Sequence, residues 1–351
     1  MNEMTTAVTA GPGAVVLDGM PATGGVHCET STLGALLEHA GVRLSEPMLF
    51  GLGEGLSFVY WDSKRQAVPF LGGRVKPFEL TQNLAGRLGL ELRVQETTSA
   101  RKAWSQVQDL LDAGAPVGLQ LDSHDLDYFT SRVHFAGHVV ALYGYDPDTV
   151  YLLDTEQQGG RVSTSRESLA RARAARGPMS APHRSFTLGA PGAPVDVAAA
   201  IRPAIVGCAE EFLSPPIANV GCRGVSTTAK RIVSWLDRVD DPTHDLPLIA
   251  MLMERGGTGG GLFRFLYRDF LTECLPMLDD GTSAGGAGRA TDLVTEGRDL
   301  FDESAQLWTR VAGLVESAGR TEDADPLSEA AELVHRIARI ETAAMTALRS
   351  V

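Results

Sequence analysis

Cysteine is scarce in this chain. It occurs only as Cys28, Cys208, Cys222 and Cys274, and no pair has the C-x-x-C spacing of zinc or thiol-redox motifs. Positive charge is short as well: 31 Lys and Arg face 44 Asp and Glu, for a net charge of −13. That balance excludes the extended basic face a phosphate backbone needs. No stretch of about 18 uncharged apolar residues occurs, so no membrane-crossing helix is expected. The opening MNEMTTAVTAGPG lacks a basic stretch followed by an apolar core and does not read as a secretory signal. The expected location is the cytoplasm, where the four thiols stay free. Nothing in the residue pattern calls for a metal or cofactor, and no internal repeat occurs.

What is present suits a folded globular protein. The 351 residues are 44% hydrophobic, enough for two cores. Residues 1–19, rich in Thr, Ala and Gly, read as a flexible start. Residues 20–188 mix helix and strand signals, and 196–351 read as mainly helical. The Gly- and Pro-rich run around GAPGAP predicts a linker over 189–195. In the first part, apolar spacing predicts helices over Thr30–Ala40, Leu80–Leu90, Thr98–Ala113 and Arg166–Arg176. SFVYW, VGLQLD, FAGHVVALYGYD and VYLLDT read as strands, the last two joined at Asp146-Pro147-Asp148 as a hairpin. Helices are predicted in the second part over Val225–Leu236, Leu246–Glu254, Phe263–Leu275, Ala290–Ser317 and Leu327–Ser350.

One constellation carries chemistry. Cysteine catalysis needs a thiol that can ionise, a base within hydrogen-bond reach, and a group that orients the base. Cys28 falls where a helix begins, with Thr30 and Ser31 as candidate caps, and a helix dipole favours a negative sulfur there. His138 opens an apolar strand, and Asp154 closes its hairpin partner, so antiparallel pairing can bring the two together. The order Cys, His, Asp is the papain-like one. His27, His39, His134 and Asp146 are rival groups, though none combines a strand position with a hairpin partner. Each residue alone also has a bland reading: an apolar filler, a satisfied structural histidine, a turn aspartate.

The run VHCETSTLGALLEHAGVRLSEPMLFGLGEGLSFVYW resembles the N-terminal domain of the butirosin biosynthesis protein H family, and GHVVALYGYDPDTVYLLDT resembles the His and Asp part of that domain. ANVGCRGVSTTAKRIVSWLD and ERGGTGGGLFRFLYRDFLTE resemble the helical domain that often follows. The resemblance spans about His27 to Pro276 and implies an α+β, papain-like domain similar to bacteriocin-processing cysteine peptidases, then a helical domain. It implies an acyltransferase that moves an aminoacyl group from an acyl carrier protein to an amine of a small natural-product precursor. Cys28 would be nucleophile, His138 base and Asp154 orienter. The peptidases carry a Gln shortly before the cysteine to line the oxyanion hole; here Pro21, Ala22 and Thr23 occupy that neighbourhood. The hole is then expected to use the Cys28 backbone N–H with another donor.

Two further segments are candidates for substrate binding. Glu54, between glycines in GLGEGLSF, reads either as a carboxylate for a substrate ammonium or as an exposed loop residue. In Gly256-Gly257-Thr258-Gly259-Gly260-Gly261, followed by Arg264, a glycine-rich loop before a helix could hold a phosphate, as on a carrier's prosthetic arm, or simply permit close packing. Its spacing is neither the P-loop nor the dinucleotide fingerprint. Arg171, Arg173 and Arg176 offer a basic patch for an acidic carrier, or a solvated helix face. Two rivals stand beside acyl transfer. One is a hydrolase of the same chemistry; the other is a non-catalytic binding module that kept the fold. The long C-terminal helices leave homo-oligomerisation open.

Overall fold

The computed structural model describes residues 13–64, 66–130, 133–189, 195–256, 258–278 and 286–351. After strand β1 (Val15–Val16) come helix α1 (Cys28–His39) and helix α2 (Glu46–Leu52). Strands β2 (Leu56–Trp61) and β3 (Phe70–Arg74) make a hairpin. Then follow α3 (Glu79–Leu88), β4 (Glu91–Gln95), α4 (Ala100–Asp112), β5 (Val117–Leu121), β6 (His138–Tyr145), β7 (Thr149–Leu153), β8 (Arg161–Ser165), α5 (Arg166–Ala174) and β9 (Ser185–Gly189). The remainder is helical: α6 (Val197–Leu213), α7 (Gly221–Arg231), the short α8 (Trp235–Arg238), α9 (Pro242–Glu254), α10 (Gly261–Leu278), α11 (Gly286–Thr321) and α12 (Asp325–Leu348).

The chain forms two compact units, Met1–Leu49 with Lys76–Val195 and Phe50–Val75 with Asp196–Val351. The simple cut expected near residue 189 therefore needs amendment. The β2–β3 hairpin belongs with the helical half, and the chain crosses between units within α2. Most of the expected 189–195 linker lies outside the described residues, although Gly189 ends β9, paired with Glu91. Part of the expected flexible start also lies outside them. Its described part is ordered, for Val15 and Val16 pair with Tyr145 and Gly144, and Leu17 is buried.

The first unit is an antiparallel sheet with strand order β4-β9-β5-β6-β7-β8, and β1 added to β6. Every residue of β6 is buried, as expected of a strand covered on both faces. Val140 and Leu142 pack with Val107 and Leu111 of α4 and Leu169 and Ala172 of α5. Ala141 and Tyr143 face the other way, with Ala35 of α1 and Leu153 of β7. This period-two split fixes the register, since a slip of one residue would exchange the faces. Helix α1 buries Leu33, Leu36 and Leu37 almost completely, each contributing about 1.5–3 kcal/mol of apolar burial. That anchor holds the start of α1, and with it Cys28, at the sheet.

The second unit packs its helices around the β2–β3 hairpin and a buried ion pair. Arg264 of α10 sends Nε and Nη2 to the two carboxylate oxygens of Glu341 of α12, at 2.8 and 2.9 Å. Ser304 Oγ and Trp308 Nε1 donate to the same carboxylate at 2.6 and 3.0 Å. Arg264 Nη1 also reaches the Gly73 carbonyl, and the guanidinium lies within 5.5 and 5.6 Å of the ring centres of Phe58 and Trp308, which stack on each other. Both charged residues are fully buried. Removing one partner strands the other charge in the interior. Arg264→Met should lower the unfolding free energy by about 3–5 kcal/mol, read by urea denaturation.

Candidate active site

Cys28 is the first residue of α1, two positions nearer the helix start than the apolar spacing suggests. Thr30 and Ser31 do not cap this helix. They lie in its first turn, and both hydroxyls donate back to the His27 carbonyl, at 3.0 and 2.7 Å. The entry loop is held instead by Glu46 of α2. Its carboxylate accepts from the backbone N–H groups of Val26 and His27, both at 2.9 Å, and from Thr30 Oγ1 at 2.8 Å. On the other side of the thiol, the buried Glu29 accepts from Phe78 N–H, Thr81 N–H and Thr81 Oγ1 at the start of α3. A carboxylate at a helix N-terminus is favourably placed.

Residues 24 and 25 are both tightly packed, and at 24 the obstacle is backbone. A Cβ on Gly24 would sit 2.0 Å from the Asp154 carbonyl oxygen, and one on Gly25 would sit 2.1 Å from Glu46 Oε2. The Gly25 carbonyl also accepts from Glu156 N–H at 2.9 Å. The loop before the nucleophile is thus zipped directly onto the end of β7.

Asp154 follows β7. The β6–β7 register sets Ala141 opposite Leu153; carried one step further, it puts Asp154 beside Val140, two residues from His138 and on the same face. His138 Nε2 lies 2.8 Å from Asp154 Oδ2. A carboxylate only accepts, so Nε2 carries the proton and Nδ1 is left for the other partner, the Cys28 thiol. Cys28 acts on His138 both as a charge and as a side-chain hydrogen-bond partner. Burial alone would push the imidazole down, but Asp154 and Cys28 outweigh it and lift the group to about 10. The Asp154 carboxylate is completely buried and its acceptors are filled: Oδ1 takes the Thr155 N–H at 2.7 Å and Oδ2 also takes the Tyr128 hydroxyl at 2.8 Å. Phe129 meets the imidazole edge-on at 5.1 Å between ring centres. Tyr128 and Phe129 carried no sequence signal, because they lie on an irregular segment between β5 and β6.

The rival groups have other employment. His39 Nε2 bonds the Gly114 carbonyl, and His27 Nδ1 meets Thr30. His134 bonds Asp122, and Asp146 holds the Asp148 and Thr149 N–H groups of its own turn. Two of the other thiols are buried among apolar groups. Burial pushes Cys208 up to about 12, against a lowering hydrogen bond from Tyr267 and with a further push from Glu54. Burial raises Cys274 too. Among the described residues no group of three or more His, Cys, Asp or Glu is placed to hold a metal.

The remaining candidates belong to the second unit. Glu54 adopts a left-handed backbone (φ 52°), and its carboxylate lies so close to Gly207 of α6 that a Cβ there would be 2.7 Å away. Arg264 is committed to Glu341, so its expected role in holding an anion is withdrawn. The glycines around it serve close packing. A Cβ on Gly256 would be 2.8 Å from Leu252, one on Gly259 3.2 Å from the Leu71 carbonyl, and one on Gly261 2.8 Å from Thr309. Thr258 donates to the Leu252 carbonyl, and Gly257 lies outside the described residues. In the first unit the arginine run is not one patch. Arg173 is buried on the carbonyls of Ala103 and His183, Arg171 pairs with Glu167, and Arg176 bonds the carbonyls of Ala174 and Ala175.

Two measurements check this geometry. The folded His138 value lies above that of a free imidazole. Its stabilisation is therefore whole below about pH 6.5 and is lost as pH rises towards about 10. Urea midpoints across that window should fall in the parent chain and flatten in His138→Gln. Gly24→Ala should displace the Asp154 carbonyl, lowering the melting temperature and changing the rate at which iodoacetamide labels Cys28.

Residues 27–155 match the family model described as butirosin biosynthesis protein H, N-terminal, and residues 167–348 match a domain of unknown function (DUF4872). No curated protein matches the chain. No described helix is long and apolar enough to cross a membrane. By these two matches, which together span most of its length, the chain belongs to the butirosin biosynthesis protein H family, with that N-terminal domain followed by the DUF4872 domain.

Proposed function

We propose that the first unit is a papain-like acyltransferase in which Cys28 forms a transient thioester. The observation that carries this reading is the relay Asp154–His138–Cys28: a buried carboxylate on one imidazole nitrogen and a helix-start thiol as the partner of the other. In the first half-reaction the Cys28 proton is held by His138 and the sulfur attacks the carbonyl carbon of an acyl thioester. The developing oxyanion is received by the Cys28 backbone N–H at the start of α1 together with a second donor. The carbon–sulfur bond to the donor breaks, and the departing thiol takes its proton from His138. In the second half-reaction an amine attacks acyl-Cys28, His138 takes the amine proton, and the amide leaves as the Cys28 sulfur is released.

The family name points to antibiotic biosynthesis, which fits a small-molecule amine as acceptor and an acyl carrier protein as donor. The oxyanion site suits such a donor. With no Gln in the neighbourhood of Pro21 to Thr23, it relies on backbone donors, and a thioester needs less activation than an amide.

The test is intact-mass spectrometry after incubation with short acyl and aminoacyl thioesters of pantetheine. The expected result is one acyl adduct, absent in Cys28→Ala and in His138→Ala, which is discharged by an added primary amine at least tenfold faster than by water. Discharge by water at equal rate would favour a hydrolase. No adduct with any donor, and equal labelling of parent and His138→Ala by iodoacetamide, would leave a binding module.

A further inference from the structure

The hydroxyl of Tyr128 and the Nε2 of His138 both bond the same oxygen, Asp154 Oδ2, each at 2.8 Å. The other oxygen is occupied by the Thr155 N–H. The groups facing the imidazole are few. Asp154 and Cys28 act on it as charges and hydrogen-bond partners, Phe129 covers an edge, and Tyr128 reaches it only through the shared oxygen. Tyr128 itself stays protonated, its hydroxyl pushed well up by burial and by the charges of Asp154 and Cys28. It is therefore a permanent donor.

This matters for the step that follows acylation. A general base must be able to accept a proton at working pH. Asp154 and Cys28 together hold an imidazolium firmly. Once Cys28 carries an acyl group its sulfur no longer balances that cation, and Asp154 acts alone. A carboxylate oxygen that already accepts one hydrogen bond has less charge to offer the next donor. We propose that Tyr128 is a positioning residue which, by donating to the Asp154 oxygen that also receives His138, fixes that carboxylate and weakens its hold on the imidazole proton, so that His138 is free to deprotonate the amine acceptor. The inference rests on the acyl-transfer reading for its purpose but not for its geometry.

The experiment titrates His138 by NMR in the full-length chain with isotope-labelled histidine, assigned by comparison with His138→Gln. Tyr128→Phe removes the donor and should raise the His138 pKa by roughly 0.5–1. Replacing Tyr128 with 3,5-difluorotyrosine keeps the ring and strengthens the donor, so it should shift the titration the opposite way. A purely structural role would not produce opposite signs. With acylated Cys28, Tyr128→Phe should slow discharge by an amine about tenfold near neutral pH, with the loss recovered at higher pH. Unmoved His138 titrations, or shifts of the same sign in both variants, would overturn the proposal. If no acyl adduct forms in the parent chain but the opposite shifts appear, Tyr128 stands as the positioning residue and the acyl-transfer reading fails.

Discussion

The first unit depends on a carboxylate placed where water cannot reach it. Burying an ion costs several kcal/mol unless its oxygens are satisfied. Asp154 is fully buried and survives because three donors converge on it: the Thr155 N–H, the Tyr128 hydroxyl and His138 Nε2. Two of those donors are side chains from other parts of the chain, so the carboxylate specifies where they go. Its own backbone does the same, since the Asp154 N–H is held by the Gly160 carbonyl and the Asp154 carbonyl presses against Gly24. Strand β7 therefore ends on a residue that fixes the base through its side chain and the nucleophile's loop through its backbone.

The nucleophile's side of the site is held just as tightly. Glu46 collects the N–H groups of Val26 and His27, Glu29 is tied to the start of α3, and Ser31 Oγ accepts from Gly25 N–H while donating to the His27 carbonyl. A thiol flanked in this way has little freedom to wander from the imidazole. Such restraint is what proximity effects in catalysis require, where a misplacement of 1 Å can cost about 100-fold in rate. Most of these bonds involve backbone groups at positions 24–31, and a substitution there is felt through geometry more than through lost contact area.

Much of the first unit was legible because it follows simple periods. The Cys28 helix, the apolar run of β6 and the Asp146 turn give His138 and Asp154 their register without any structure. Other parts were hidden for physical reasons. Strand β4 is largely exposed and polar, so ELRVQ shows no apolar alternation, and β1 is two residues long. Helix α6 contains Pro203, and proline argues against a helix even where tertiary packing outweighs it. Tyr128, Glu46 and Gly24 matter only through partners 16 to 130 residues away, as with Gly24 and Asp154 or Glu46 and Thr30. Local pattern holds no trace of such pairings. The hairpin's transfer to the helical unit was hidden likewise, because SFVYW reads the same whichever core it joins.

Three buried carboxylates show how the partner decides what a charge can do. Glu29 is answered by N–H groups and a threonine hydroxyl, none of which changes protonation, and it acts as a peg between α1 and α3. Glu341 is answered by a guanidinium that never gives up its proton, set beside a stacked aromatic pair, and it locks α10 to α12. Only Asp154 is answered by an imidazole, whose proton can leave within a chemically useful range. Burial strengthens all three interactions because the surrounding dielectric is low. At Glu29 and Glu341 that strength can only stabilise, since nothing on the other side can move. At Asp154 it acts on an imidazole whose other nitrogen can exchange a proton with the sulfur of Cys28, and so the same physics that builds the scaffold elsewhere becomes chemistry at this position.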